Sequence, residues 1–176
     1  MARLFIALDL SIEDKQKISL LDYTIAQEHV RKIPQQNYHL TLAFLGQLTS
    51  EQQILLMKTL DDQHHQLPHQ AITLTTDNFG LFRKPQVAYV AIKKPHYALE
   101  SLEQHIANLC SVVGYKAQHQ VFVPHISILR KAKSQPTPQP STHNLNLTCT
   151  SYSLYESVSA ESGVKYLPLK TWQLID

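Results

Sequence analysis

The 176-residue chain is short of glycine, cysteine and net charge, and each shortage closes off a class of function. Only four glycines are present, with no Gly-rich phosphate loop, no G-x-S-x-G elbow and no dinucleotide fingerprint, so ATP-driven chemistry has no support. The two cysteines, Cys110 and Cys149, form no C-x-x-C pair. A chain of this length does not need a staple, so both are expected to be reduced thiols. A formal net charge of +2 is too small for a long nucleic-acid groove but allows a local basic cleft for one or two phosphates. No stretch approaches the ~20 apolar residues of a membrane span. The run Leu4-Phe5-Ile6-Ala7-Leu8 stops at Asp9, too soon for a signal-peptide core. A cytoplasmic location with no membrane partner is the expectation. Hydrophobic residues at 43% and charged residues at 17% suit a soluble globular protein, and residues 1–176 fit one domain, or two small lobes sharing a core.

The pattern of elements is mixed. The dense apolar opening of Arg3–Leu10 predicts a central strand covered on both faces. Ser11, with Asp14 three residues on, predicts the cap of an amphipathic helix from Ile12 to about Glu28, carrying Ile18, Leu21 and Ile25. Pro34 then forces a polar connection. A strand closing at Gly46 follows, then a helix capped at Thr49 or Ser50 that carries Ile54, Leu55, Met57 and Leu60, with a boundary at Pro68. Ala71–Thr76 and Gln86–Lys93 read as strands around an aromatic loop, Asn78–Pro85. After Pro95, Leu99, Leu102, Ile106 and Leu109 predict a third helix, stopped by Gly114. Pro136, Pro138 and Pro140 mark an extended surface loop, and two strands, Asn144–Ser157 and Lys165–Leu174, close the chain around a turn at Ser159–Gly163. Helices interspersed with hairpin-linked strands argue for an α+β protein with antiparallel sheet.

What the chain has in abundance is histidine, ten in all. Two sit in matched settings, His39-Leu40-Thr41-Leu42 and His125-Ile126-Ser127-Ile128, about half the chain apart. On a strand, residues i and i+2 share a face, so each imidazole stands beside a hydroxyl. One such histidine would read as a core residue satisfied by a hydrogen bond. Two intrusions of the same type into apolar strands, each with a desolvation cost of ~1–3 kcal/mol per unsatisfied group, are better explained by a shared polar ligand. Thr41 and Ser127 would donate to phosphate oxygens beside the histidines, although Thr favours strands in any case. Arg130 suits bidentate phosphate recognition, but its parity is opposite to that of His125. It reaches the same face only if the strand ends or twists near Leu129. His64, His65 and His69 have no recognised metal spacing and read as solvated residues at a helix C-terminus. His96, His105, His119 and His143 are isolated. Phe79, Phe82 and Arg83 could stack on a base, but an aromatic loop more often packs over a sheet edge.

The ordered set of motifs resembles a known family. His39-Leu40-Thr41-Leu42 and His125-Ile126-Ser127-Ile128 are similar to the two H-x-T/S-x signatures of the two-histidine phosphoesterases. Arg3–Leu8, Leu42–Gly46, Pro124, Arg130 and the ending Leu154-Tyr155-Glu156-Ser157, Tyr166, Leu169, Trp172 narrow the resemblance to the bacterial and archaeal RNA 2′,3′-cyclic phosphodiesterases, long called 2′–5′ RNA ligases. It runs from Arg3 to about Leu174. The resemblance implies a bilobal α+β fold of pseudo-twofold pattern, two antiparallel sheets flanking a cleft with helices outside. It implies hydrolysis of RNA 2′,3′-cyclic phosphate ends to 2′-phosphates without metal or other cofactor, reversible in principle as 2′–5′ ligation. His39 would be the proton donor and His125 the acceptor, with Thr41, Ser127 and Arg130 on the phosphate. The implied partners are RNA with cyclic phosphate ends, tRNA fragments among them, or small nucleotides, and the implied state is a monomer. Ser127 stands where the family more commonly has Thr, keeping the hydroxyl and losing a methyl that stiffens the rotamer. A phosphodiesterase for small cyclic nucleotides or 2′–5′ oligoadenylates, and an idle nucleotide- or RNA-binding module, remain as alternatives.

Overall fold

The N-terminal run does form the middle of a sheet. In the computed structural model, which describes residues 1–67, 70–94, 96–117, 121–160 and 163–174, strand β1 (Ala2–Leu8) buries every residue from Leu4 to Leu8. Helix α1 (Ile12–Ser19) starts as expected, the Ser11 hydroxyl accepting from the Asp14 amide at 3.0 Å. It ends well before Glu28. Instead of continuing the helix, Tyr23–Thr24 (β2) pairs with a later two-residue strand, and the Asp22 carboxylate accepts from the Ser141 hydroxyl at 2.9 Å. These long-range partners outweigh the weak helical propensity of a segment rich in Tyr, Thr and Ile.

Strand β3 (Arg31–Lys32) and a 3-10 turn at Gln35–Asn37 lead into β4 (Leu40–Leu48). Gly46 does not end this strand. With φ of 75° it sits beside a register shift against β1 and bends the strand, which runs on to Leu48. Thr49 and Gln52 form a capping box for α2 (Ser50–Gln63), which buries Leu56 and Leu60; the expected Ile54 and Leu55 are exposed. Strand β5 (Ile72–Phe82) absorbs most of the expected aromatic loop and forms a hairpin with β6 (Val87–Ile92). Helix α3 (Tyr97–Cys110) buries Leu99, Leu102, Ile106 and Cys110. Strand β7 (His125–Arg130) carries the second motif, and β8 (Thr137–Pro138), inside the proline loop, is the partner of β2. The expected strand Asn144–Ser157 is two strands, β9 (Asn146–Cys149) and β10 (Ser151–Ala160), followed by β11 (Gly163–Gln173). The expected boundaries Pro68 and Pro95, the histidines His69 and His119, and Glu161 and Ser162 of the expected turn lie outside the described residues.

The paired strands run antiparallel in the order β11-β10-β1-β4-β7-β6-β5-β9, with β3 added against β7. One half of this curled sheet (β11, β10, β1, β4) comes from both ends of the chain and the other (β7, β6, β5, β9) from its middle. At the seam, β4 and β7 are joined by the single residue pair Leu40↔Ile126. One apolar core runs beneath both halves, from Leu4, Leu8 and Leu154 to Leu74, Val90 and Leu147, closed by α2 and α3. Cys110 and Cys149 are buried in it as free thiols, as expected. No helix among the described residues is long and apolar enough to cross a membrane.

Candidate active site

The seam brings the two histidine motifs together. Leu40 and Ile126, the residues after His39 and His125, are cross-strand partners, so the imidazoles flank one junction. Both strands alternate in the same way. His39, Thr41, His125 and Ser127 are partly exposed, while Leu40, Leu42, Ile126 and Ile128 are buried. Apolar burial on one face thus fixes the register that presents the polar pairs on the other.

Each ring is locked in the same manner. His39 Nδ1 lies 2.7 Å from the Asn37 carbonyl, and His125 Nδ1 lies 2.7 Å from the Val123 carbonyl. A carbonyl can only accept, so each Nδ1 carries the proton and each Nε2 is left for proton exchange. Asn37 is itself fixed, its Nδ2 donating to the Val164 carbonyl at 2.7 Å. Aromatic rings flank both imidazoles. Phe5 and Tyr166 contact His39 at centroid distances of 4.9 and 5.1 Å; Phe82 and Tyr89 contact His125 at 4.8 and 5.2 Å. This packing removes water from the rings. Burial pushes His39 down to about 4, the nearby positive charge of His125, Lys15 and Arg130 adds to the shift, and the Asn37 bond opposes it. His125 is lowered by burial, against its bond to Val123.

Arg130 reaches this face by a β-bulge. Tyr89 lies opposite Ser127 and Val87 opposite Arg130, so two steps along β6 match three along β7. The extra residue, Ile128, restores Arg130 to the face of Ser127. The other half repeats the device. Ala7 lies opposite Thr41 and Phe5 opposite Phe44, so the extra residue Leu42 turns Phe44 to the face of Thr41. The Arg130 guanidinium donates to the Tyr166 hydroxyl at 3.3 Å, and the Tyr166 ring stands edge-on to His39. All five expected residues, His39, Thr41, His125, Ser127 and Arg130, therefore share one face around the seam.

Of the aromatic surround, sequence pointed to Phe82 as a residue that could stack on a base, and not to Phe5. Phe5 lies in an apolar run that reads as core, and is only 3% exposed. Phe79, an expected stacking candidate, is buried against Tyr23, while Phe82 stands beside His125. His64 is more than a solvated residue, its Nδ1 lying 3.2 Å from the hydroxyl of buried Tyr152. Among the described residues no cluster of three or more His, Cys, Asp or Glu is placed to hold a metal.

Behind His39, Asp9 organises a partly buried polar network. Its carboxylate accepts from Ser151 and Tyr155 at 2.6 Å and from Ser153 at 2.8 Å. The Tyr155 ring stacks on Phe5 at 5.2 Å, so the network backs the wall of the His39 site.

Comparison with known proteins identifies relatives of the chain. The family model described as the 2′-5′ RNA ligase superfamily matches residues 11–153. The RNA 2′,3′-cyclic phosphodiesterase of Escherichia coli is 31% identical over 173 residues, 98% of this chain and 96% of that protein. The RNA 2′,3′-cyclic phosphodiesterase of Geobacillus stearothermophilus is 26% identical over 168 residues, 93% of this chain but 53% of that protein. The crystal structure of E. coli LigT complexed with 3′-AMP superposes with a TM-score of 0.78 at 27% identity, covering 99% of both chains. Family model, near full-length identity and the shared mixed α/β fold agree: the chain belongs to the 2′-5′ RNA ligase superfamily.

Proposed function

We propose that the protein hydrolyses terminal 2′,3′-cyclic phosphates on RNA to 2′-phosphates, by acid–base catalysis between His39 and His125 and without a metal ion. The observation that carries this reading is the meeting of two H-x-[T/S] strands at the Leu40↔Ile126 pair, each histidine with Nδ1 held by a carbonyl two residues back. Relatives named RNA 2′,3′-cyclic phosphodiesterase supply the substrate class. The matched bulges after Thr41 and Ser127 support reading the sheet as two lobes of pseudo-twofold pattern around a cleft, the whole chain acting as one domain.

His125 takes a proton from water as its oxygen attacks phosphorus. The P–O3′ bond breaks, and His39 gives its proton to the departing 3′ oxygen, leaving a 2′-phosphate. In-line attack puts the two groups on opposite sides of phosphorus, which suits imidazoles from opposite sides of a seam. Thr41, Ser127 and Arg130 hold the non-bridging oxygens. In the protein alone both histidines are held toward neutrality. A phosphate anion beside Arg130 counters the positive neighbours of His39 and favours the protonated form that an acid requires. With a 5′-hydroxyl in place of water, the same displacement joins the cyclic phosphate to it through a 2′–5′ bond, the P–O3′ bond breaking and the 3′ oxygen taking the proton.

The test is an RNA oligonucleotide ending in a 2′,3′-cyclic phosphate, incubated with protein and EDTA. The expected product is a 2′-phosphate, formed at least about 10²-fold more slowly by His39→Ala and by His125→Ala. A 3′-phosphate would exchange the leaving group and with it the two roles. Absence of turnover, with nucleotide still bound, would overturn the enzyme in favour of a binding module.

A further inference from the structure

Beside the seam lies a second basic feature that hydrolysis of a lone cyclic phosphate does not require. Strand β3 sets Arg31 directly opposite Arg130, with Lys32 opposite Leu129. Like charges directly across a sheet are destabilising, so the pairing calls for an anion. Among the described residues no carboxylate lies within ion-pair distance of Arg31, Lys32 or Arg130. The three line a pocket of about 40 Å³ together with Asn37, Val164 and Tyr166. A water needs about 10–15 Å³ by the same measure, so the pocket admits a phosphate-sized group and cannot enclose a base.

The pocket has a built wall. The Asn37 side chain ties Val164, at the start of β11, to the turn that precedes His39. Gly163, with φ of 118°, leaves room for the Arg31 guanidinium, since a Cβ there would lie 2.3 Å from its Nη2. The space beside the guanidinium is thus kept by a residue that has no side chain to fill it.

Taking the cyclic phosphate to lie at Arg130, as the proposed function has it, the geometry points to Arg31 as a specificity residue that binds the phosphate on the 5′ side of the same terminal nucleotide. Facing strand residues are about 5 Å apart, so a ligand held by Arg130 offers its next phosphate to Arg31 without leaving the pocket. The chemical class recognised is a ribonucleotide bearing both a 2′,3′-cyclic phosphate and a 5′-phosphate or 5′-phosphodiester. Arg31 then favours RNA ends over 5′-hydroxyl cyclic nucleosides, and a planar guanidinium suits that phosphate better than an ammonium.

Adenosine 2′,3′-cyclic phosphate with and without a 5′-phosphate tests this, for the native protein, Arg31→Gln and Arg31→Lys. The native protein is expected to show about tenfold higher kcat/KM for the 5′-phosphorylated substrate, through KM. Arg31→Gln should erase that ratio and Arg31→Lys keep part of it. With a cyclic-ended oligonucleotide, Arg31→Gln should also flatten the slope of log KM against log salt by about 0.7, the loss of one phosphate contact on a single strand. A native ratio near one overturns the inference while leaving the proposed activity intact. So does an equal loss on both substrates in Arg31→Gln, which would place Arg31 at the cyclic phosphate or in the fold. Binding separates the two readings when nothing is turned over. If adenosine 2′,5′-bisphosphate binds about tenfold tighter than adenosine 2′-phosphate, and only with Arg31 present, the pocket stands and the hydrolase reading falls. Equal binding overturns the pocket as well.

Discussion

At His39 the surroundings oppose protonation, and this leaves a mark on stability as well as on the proposed catalysis. Burial, with His125, Lys15 and Arg130 close by, brings the folded ring to about 4, whereas an unfolded histidine titrates near 6.5. A lowered histidine is neutral when folded but takes up a proton when unfolded. Its contribution is therefore fully present above about pH 6.5 and lost as pH falls toward 4. The expected slope is at most about 1.4 kcal/mol per pH unit for one proton. Urea unfolding at pH 7 and pH 5 checks this. The native protein should lose roughly 2 kcal/mol more between the two than His39→Gln, whose side chain does not titrate. Equal losses would show that the ring is not held neutral. In catalysis, the rate should follow a bell-shaped pH profile, since the pair must hold one proton between them. A profile flat from about pH 5 to 9 would contradict the two-imidazole reading.

His39, Thr41, His125 and Ser127 could be placed on one face from sequence because strand parity and chemistry agreed there. Arg130 was on the wrong parity for an ideal strand. A single inserted residue reverses parity, and nothing in the composition of Ser127-Ile128-Leu129 marks Ile128 as that residue. The aromatic partners of His39 were hidden for another reason. Phe5 and Tyr166 come from strands at opposite ends of the chain and meet only through sheet order, which local periodicity does not encode.

Among the elements, the hairpin of β5 and β6 separates aromatic residues that look alike in sequence. Phe79 is buried and packs on Tyr23, while Phe82 is partly exposed, stacked on Tyr89 at 4.4 Å and beside His125. Phe79→Ala should cost about 3–5 kcal/mol of stability in urea unfolding. Phe82→Ala should cost no more than about 1–2 kcal/mol, because the ring keeps solvent contact, yet lower kcat/KM by loosening His125. The reverse order would mean that the hairpin register is misassigned. The β1–β10 pair makes a similar case. Asp9→Ala strands the Ser151 and Tyr155 hydroxyls, each costing about 1–3 kcal/mol if left unsatisfied, while Ser153 keeps Thr171 at 2.7 Å, so its Tm should fall far more than that of Tyr155→Phe. Tyr155→Phe keeps the stack on Phe5 and should retain most activity. Helix α1 shows where local reading stops. Its cap at Ser11 was legible, but its end depends on β8 and the Asp22 contacts, which lie more than 100 residues away in sequence.

For the whole molecule, the arrangement of the sheet argues for a single cooperative unit even though its halves touch by one strand pair. The half formed by β11, β10, β1 and β4 needs both ends of the chain, while β7, β6, β5 and β9 come from the middle, so hydrogen bonds across the seam contribute little to holding them together. The core does more. Leu4, Leu40 and Leu154 from one half and Leu74, Val90 and Ile126 from the other belong to a single buried cluster with Leu99, Leu102 and Ile106 of α3. Exposing one half would uncover apolar surface of the other at about 25 cal/mol per Å². Two native probes can follow the two halves separately. Trp172, the only tryptophan, is buried in β11, and the Cys149 thiol is fully buried in β9, with burial pushing it up to about 12. In urea, Trp172 emission and the reactivity of Cys149 toward a thiol reagent, measured in Cys110→Ala, should change at the same midpoint. Thiol exposure at clearly lower urea would show that the middle of the chain opens by itself. The seam would then be a boundary between independently stable lobes, with His39 and His125 held in register by the Leu40↔Ile126 pair and by the pairing of β3 with β7.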